Sequence, residues 1–225
     1  MRQIGGALAH STHIGFKASQ TLYYAQRQAK RIGFPLTHYA VINFSSTRIS
    51  PTDAVTCFGK IRRDDFAKFA TPRSKRGGPA FPPTYAYTFE NERDGVAFMT
   101  MEPEDDHNVH VNWLLHLPAE RIYGFEQQVW EWVEKRTGGI TGGASTIFVG
   151  PISTETVSNY ICKGALQTSL DRYGGEQKHK PQGVIVGRRS STSRNLGPTA
   201  RRALDRELGI RRSLPKRRPD HRPSV

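Results

Sequence analysis

Apolar and polar residues alternate through the middle of the chain. From Val109 to Leu117 the residues Val109, Val111, Trp113, Leu115 and Leu117 fall on one side, while His110 and Asn112 fall on the other. A period of two is that of a β-strand, and Pro118 ends it. The same period runs from Thr84 to Glu92: Tyr85, Tyr87 and Phe89 take one face, and Ala86, Thr88 and Glu90 the other. His38 to Ser45 reads as a first central strand and Ser145 to Pro151 as another; Val96 to Met101 reads as a short strand or an insertion.

A period near 3.6 marks the helices. Glu120 to Lys135 is the clearest, with Ile122, Phe125, Val129, Trp132 and Val133 on one stripe. Thr21 to Arg31 carries Leu22, Ala25, Ala29 and Ile32 at helical spacing, and Gly33 and Pro35 stop it. Pro51 opens a helix expected to reach Ala70 with a break near Gly59, and Thr154 caps one that carries Tyr160 and Lys163. This order of elements predicts an α+β fold, an antiparallel central sheet flanked by helices. A doubly wound parallel sheet does not fit, and no Gly-rich nucleotide-phosphate loop is present.

Length and composition add boundaries. The 225 residues, 36% hydrophobic and 24% charged, suit one domain with an attached tail. We expect an N-terminal arm and helix over 1–35, the sheet-bearing domain over 36–175, and a basic, largely disordered C-terminal extension over 176–225 whose last helix, Pro198 to Leu208, closes at Gly209. Lys and Arg outnumber Asp and Glu 33 to 20, a net charge of +13, which favours polyanions and above all nucleic acid. Cys57 and Cys162 form neither a disulfide framework nor a zinc spacing, so a reducing, cytoplasmic setting is expected. No apolar run reaches the roughly 20 residues of a membrane span, and no secretory signal is visible.

The candidate chemistry sits on the polar side of the two central strands. Residues two apart on a strand share a face roughly 6–7 Å apart. His110 and Asn112 therefore point together, whereas His107 belongs to the other face. Glu90, beside the small Ala86 and Thr88, has room to reach inward. One imidazole, one amide oxygen and one carboxylate make a site for Mg²⁺ or Mn²⁺. The plain alternative is a set of satisfied polar groups in a core strand. Tyr160 and Lys163, three apart on a helix, share a face. A Tyr is a possible covalent nucleophile, and a nearby ammonium favours its phenolate. Cys162 points away as a small buried hydrophobe. Arg73, Lys75 and Arg76 in the loop before the second strand, with Arg188 and Arg189, are the expected phosphate contacts.

Taken together these stretches resemble a known family. Val109-His110-Val111-Asn112-Trp113-Leu114-Leu115-His116-Leu117-Pro118 resembles the metal-binding strand of HUH endonucleases, and Asn159-Tyr160-Ile161-Cys162-Lys163-Gly164 their single-tyrosine helix. Tyr39-Ala40-Val41-Ile42-Asn43-Phe44 is similar to the first strand motif of rolling-circle replication initiators. Phe89-Glu90-Asn91 lies where such proteins place a metal-binding carboxylate. The motifs stand in the family's order over about residues 36–170. One departure is Asn112, which replaces the second His; some viral initiators also carry an amide there.

The resemblance implies a ferredoxin-like Rep nuclease fold with a five-stranded antiparallel sheet. It implies Glu90, His110 and Asn112 as metal ligands, Tyr160 as nucleophile and Lys163 as its assistant. The activity implied is nicking and joining of single-stranded or hairpin origin DNA through a 5′-phosphotyrosine, with a host helicase and polymerase as partners in a bacterial cytoplasm. A transposase or mobilisation relaxase built on the same site is a close rival, and a non-catalytic nucleic-acid-binding module is the alternative from another class.

Overall fold

The structure, a computed structural model, describes residues 9–74, 77–94, 96–99, 107–152, 161–173 and 179–210. In chain order its elements are β1 (His10–Ser11), α1 (Phe16–Arg31), β2 (His38–Asn43), α2 (Ala54–Lys60), α3 (Ala67–Ala70), β3 (Tyr85–Arg93), β4 (Val96–Ala97), β5 (Val109–Leu115), α4 (Ile122–Thr137), β6 (Ile147–Pro151), α5 (Gln167–Leu170), β7 (Ile185–Val186), β8 (Ser190–Thr192) and α6 (Pro198–Glu207). The class is α+β, as the sequence predicts.

The main sheet runs β4-β3-β5-β2-β6, and β8 joins the same edge of β3 as β4. Every pairing among these strands is antiparallel. β1 and β7 form a separate two-stranded ribbon. Register follows the period of two: Tyr87 lies opposite Trp113, Thr88 opposite Asn112, and Glu90 opposite His110. Each strand therefore delivers its alternate residues to opposite faces of the sheet.

One face is wholly apolar. Ala40, Ile42, Tyr87, Phe89, Val111 and Trp113 meet Phe58, Phe66, Phe125, Val129 and Val133 from α2–α3 and α4. Phe66 stands edge-on to Trp113 at 4.9 Å between ring centroids, and Phe58 does so at 5.1 Å. Edge-to-face pairs of this kind add about 0.5–1.5 kcal/mol each beyond burial. On the other face Ala86 and Leu114 pack under Leu22, Ala25 and Ala29 of α1 and under Ile161, Cys162 and Ala165.

Three expectations change. Gly59 lies inside α2 and breaks nothing; the irregularity is the π-helical stretch Ile61–Phe66. A wider turn brings residues five apart onto one side, and Ile61 and Phe66 are both fully buried. The helix α1 begins at Phe16, five residues before the expected Thr21. The stretch 179–210, expected to belong to a largely disordered extension, is built into the fold. Ile185 and Val186 are buried, Ser190–Thr192 extends the sheet, and α6 follows. Gly183 allows this: at φ +68° a Cβ there would sit 2.0 Å from the Asn91 carbonyl oxygen. Residues 211–225 lie outside the described part of the chain.

Candidate metal centre and its basic surroundings

The polar sides of β3 and β5 converge near one end of the sheet. Glu90, Glu92 and His110 each offer a ligand atom, and these atoms all lie within 4.8 Å of one another. The group could hold a metal ion. Glu90 is 1% exposed, while His110 and Glu92 are half-buried. The expected pair Glu90 and His110 is therefore brought together. Glu92 is the member of this group that sequence reasoning missed, although the strand period already placed it on the Glu90 face.

Asn112 is buried on the same face, one register step from His110 and opposite Thr88. Lys163 enters from the turn that follows helical Ile161 and Cys162. Its Nζ lies 2.7 Å from Glu90 Oε2 and 3.2 Å from Glu92 Oε1. Tyr160 lies outside the described residues. Cys162 is buried against α1, as expected, and burial pushes its thiol up to about 12.

The orientation of His110 is fixed from behind. Its Nδ1 lies 2.9 Å from the Asn108 carbonyl oxygen, which can only accept, so Nδ1 carries a proton. Nε2 is then turned to Glu90 Oε2 at 3.2 Å. His110 Nε2 and Lys163 Nζ thus meet at the same carboxylate oxygen. A backbone partner on the far nitrogen is the usual way a metal-ligating His is aimed. Asn108 does more than this. Its N–H donates to Asn91 Oδ1, its Nδ2 donates to the Glu92 carbonyl, and its Oδ1 accepts from Asn43. It ties β2, β3 and β5 together beside the cluster.

The basic residues divide. Arg188 is exposed next to the sheet edge. Arg189 corrects the expectation of a phosphate contact: it is 4% exposed and enclosed by backbone. Nη1 donates to the Phe89 and Gln182 carbonyls at 3.0 and 3.2 Å, and Nη2 donates to Ser11 at 2.7 Å and to Gly183. Burial pulls its guanidinium down to about 10, opposed by Glu90, so it stays charged at neutral pH. Arg73 is exposed in the loop before β3. Lys75 and Arg76 lie outside the described residues.

No protein-family model, no curated protein and no solved structure matches this chain.

Proposed function

We propose that this chain is a metal-dependent DNA nicking and joining enzyme of the HUH kind, acting at a replication origin to start rolling-circle synthesis. The observation that carries the reading is the convergence of Glu90, Glu92 and His110 with Lys163 beside them, on the two strands where the motif resemblance lies. Glu90, Glu92 and His110 would hold Mg²⁺ or Mn²⁺, with Asn112 as the neighbouring amide donor. A bound divalent ion supplies positive charge to a phosphate oxygen as negative charge builds there.

The chain's own residues do the rest. Tyr160, outside the described residues, is the nucleophile: its oxygen bonds to phosphorus as the bond to the 3′ oxygen breaks. The phenol loses a proton, the departing 3′-OH gains one, and a 5′-phosphotyrosine remains. Reversal of the step joins strands without another energy source. Lys163 balances Glu90 and Glu92 in the absence of the ion, and it is placed to pair with the phosphate when an ion takes over the carboxylates. Transposition or mobilisation would use the same step on other DNA ends.

A specific observation favours a second reading. Lys163 already bridges both carboxylates, and a protonated His110 would bring a second cation to Glu90. The cluster could then be a finished ion-pair network inside a non-catalytic nucleic-acid-binding module.

One experiment separates the two. The protein is incubated with Mn²⁺ and a pool of single-stranded, hairpin-bearing DNA and run on a denaturing gel. A covalent protein–DNA adduct that is lost in Tyr160→Phe and in Glu90→Gln is the expected result. Cleavage without an adduct makes water the nucleophile. Neither cleavage nor calorimetric Mn²⁺ binding hands the site to the second reading.

A further inference from the structure

An open groove of about 650 Å³ lies beside β8, bounded by the start of α1 and the start of α6. Its walls carry Lys17, Arg188 and Arg194, all exposed, together with His13 and the buried Arg189. No Asp or Glu lines it among the described residues, in a chain with 20 of them. The wall between the cations is hydroxylated, running from Ser190 to Ser193. No Phe, Tyr or Trp faces it among the described residues. That composition suits phosphates and sugars rather than bases.

Two helices strengthen the bias. α1, 16 residues long, and α6, 10 residues long, both begin at a glycine that offers no side-chain cap. The N–H groups of their first turns (Pro198, at the start of α6, has none) lack a partner within the helix and add partial positive charge there. Arg189 holds a further charge at the groove wall. Its Nε has no hydrogen-bond partner among the described residues, while its other nitrogens are fixed on carbonyls.

The groove wall is joined to the metal centre through hydrogen-bonded backbone. Ile14 N donates to the Gly164 carbonyl at 2.8 Å, one residue from Lys163. Ser190 pairs with Thr88, two residues from Glu90 on the same face of β3. Both β3 and the Lys163 turn thus run from the groove wall toward the carboxylates.

We propose that this groove binds the phosphate backbone of a single nucleic-acid strand and feeds it to the metal centre. The strand's continuation to the cluster rests on the function proposed above; the groove's affinity for phosphates does not. Lys17 and Arg194 are the new contacts, and Arg188 joins them.

The test uses the full chain and a fluorescein-labelled 20-residue oligothymidylate, with binding followed by anisotropy across a salt series. The groove variant carries Lys17→Gln, Arg188→Gln and Arg194→Gln. The control carries Lys60→Gln, Lys68→Gln and Lys135→Gln, exposed cations on the helices of the opposite face, and has the same net charge. Each single-strand phosphate contact contributes roughly 0.7 to the log–log salt slope. The groove variant should therefore lose about 2 in slope and on the order of tenfold or more in affinity at 0.1 M salt, while the control keeps the wild-type slope. An unchanged slope in the groove variant, an equal loss in the control, or no binding by the wild type overturns the proposal. Mn²⁺-dependent cleavage by the wild type is scored separately. A slope loss without any cleavage keeps the groove and removes the nicking reading; cleavage with no slope loss does the reverse.

Discussion

On one face of the sheet Tyr87, Phe89, Val111 and Trp113 are locked among helical Phe side chains. On the other, the same two strands present Thr88, Glu90, Asn112 and His110. Neighbouring residues thus serve different ends. The apolar side gains by burial and ring packing and asks only for volume and shape. The polar side holds a buried carboxylate that must find a cation, whether Lys163, a ring proton on His110 or a metal ion. Aromatic ring packing is concentrated on one face, and exchangeable charge on the other.

The strongest break in this contrast comes from the apolar face. Trp113→Ala should lower unfolding free energy by about 3–5 kcal/mol in urea titration, since it empties the centre of the ring cluster. A loss under 1 kcal/mol would mean that the face is loosely packed. On the polar face the effect should depend on the ion. Mn²⁺ at a hundred times its dissociation constant should stabilise the wild type by about 2.7 kcal/mol and Glu90→Gln not at all. Equal shifts in both proteins would place metal binding elsewhere.

A smaller change sharpens the role of Asn112. Asn112→His substitutes imidazole for an amide oxygen and should tighten Mn²⁺ binding about tenfold, or about 1.4 kcal/mol, by calorimetry. If affinity stays the same, the side chain at this position does not reach the ion. The smallest effect concerns the apolar packing under α1. Burial raises the Cys162 thiol from its ordinary 9.0 to about 12. The unfolded chain therefore ionises first, and the stability contributed by the protonated thiol is full below pH 9 and falls as pH rises toward 12. Cys162→Ala should flatten part of the decline in stability as pH rises from 9 to 10. A decline as steep as that of the wild type would assign it to other groups.

Much of the two-faced design was legible because a period of two is written directly into Tyr85-Ala86-Tyr87-Thr88-Phe89-Glu90 and Val109-His110-Val111-Asn112-Trp113. Glu92 was legible by the same rule, but the expected strand ended on it, while the observed one runs to Arg93. Arg189 could not be read. Gly187-Arg188-Arg189 has the composition of a basic surface turn, and what encloses Arg189 is four backbone carbonyls, two from distant Ser11 and Phe89 and two from nearby Gln182 and Gly183, which leave no mark in side-chain pattern. The groove was hidden for a related reason, since Lys17 and Arg194 lie far apart in the chain and meet only through β8. Asn108 aims His110 through its backbone carbonyl, a contact that no side-chain pattern records.

The pairing of β8 with β3 also sets an order of events on the ribosome. Tyr85 N–H donates to the hydroxyl of Ser193, 108 residues later, and Phe89 N–H donates to the Arg189 carbonyl. Until that late segment leaves the exit tunnel, the outer edge of β3 next to Glu90 has these donors unanswered, a template for any other extended chain nearby. The long wait for a distant partner makes this the slow, aggregation-exposed part of folding. Arg189, closing on carbonyls of Ser11, Phe89 and Gln182 at once, acts as a completion check: the edge is sealed only in a chain synthesised past the end of β8.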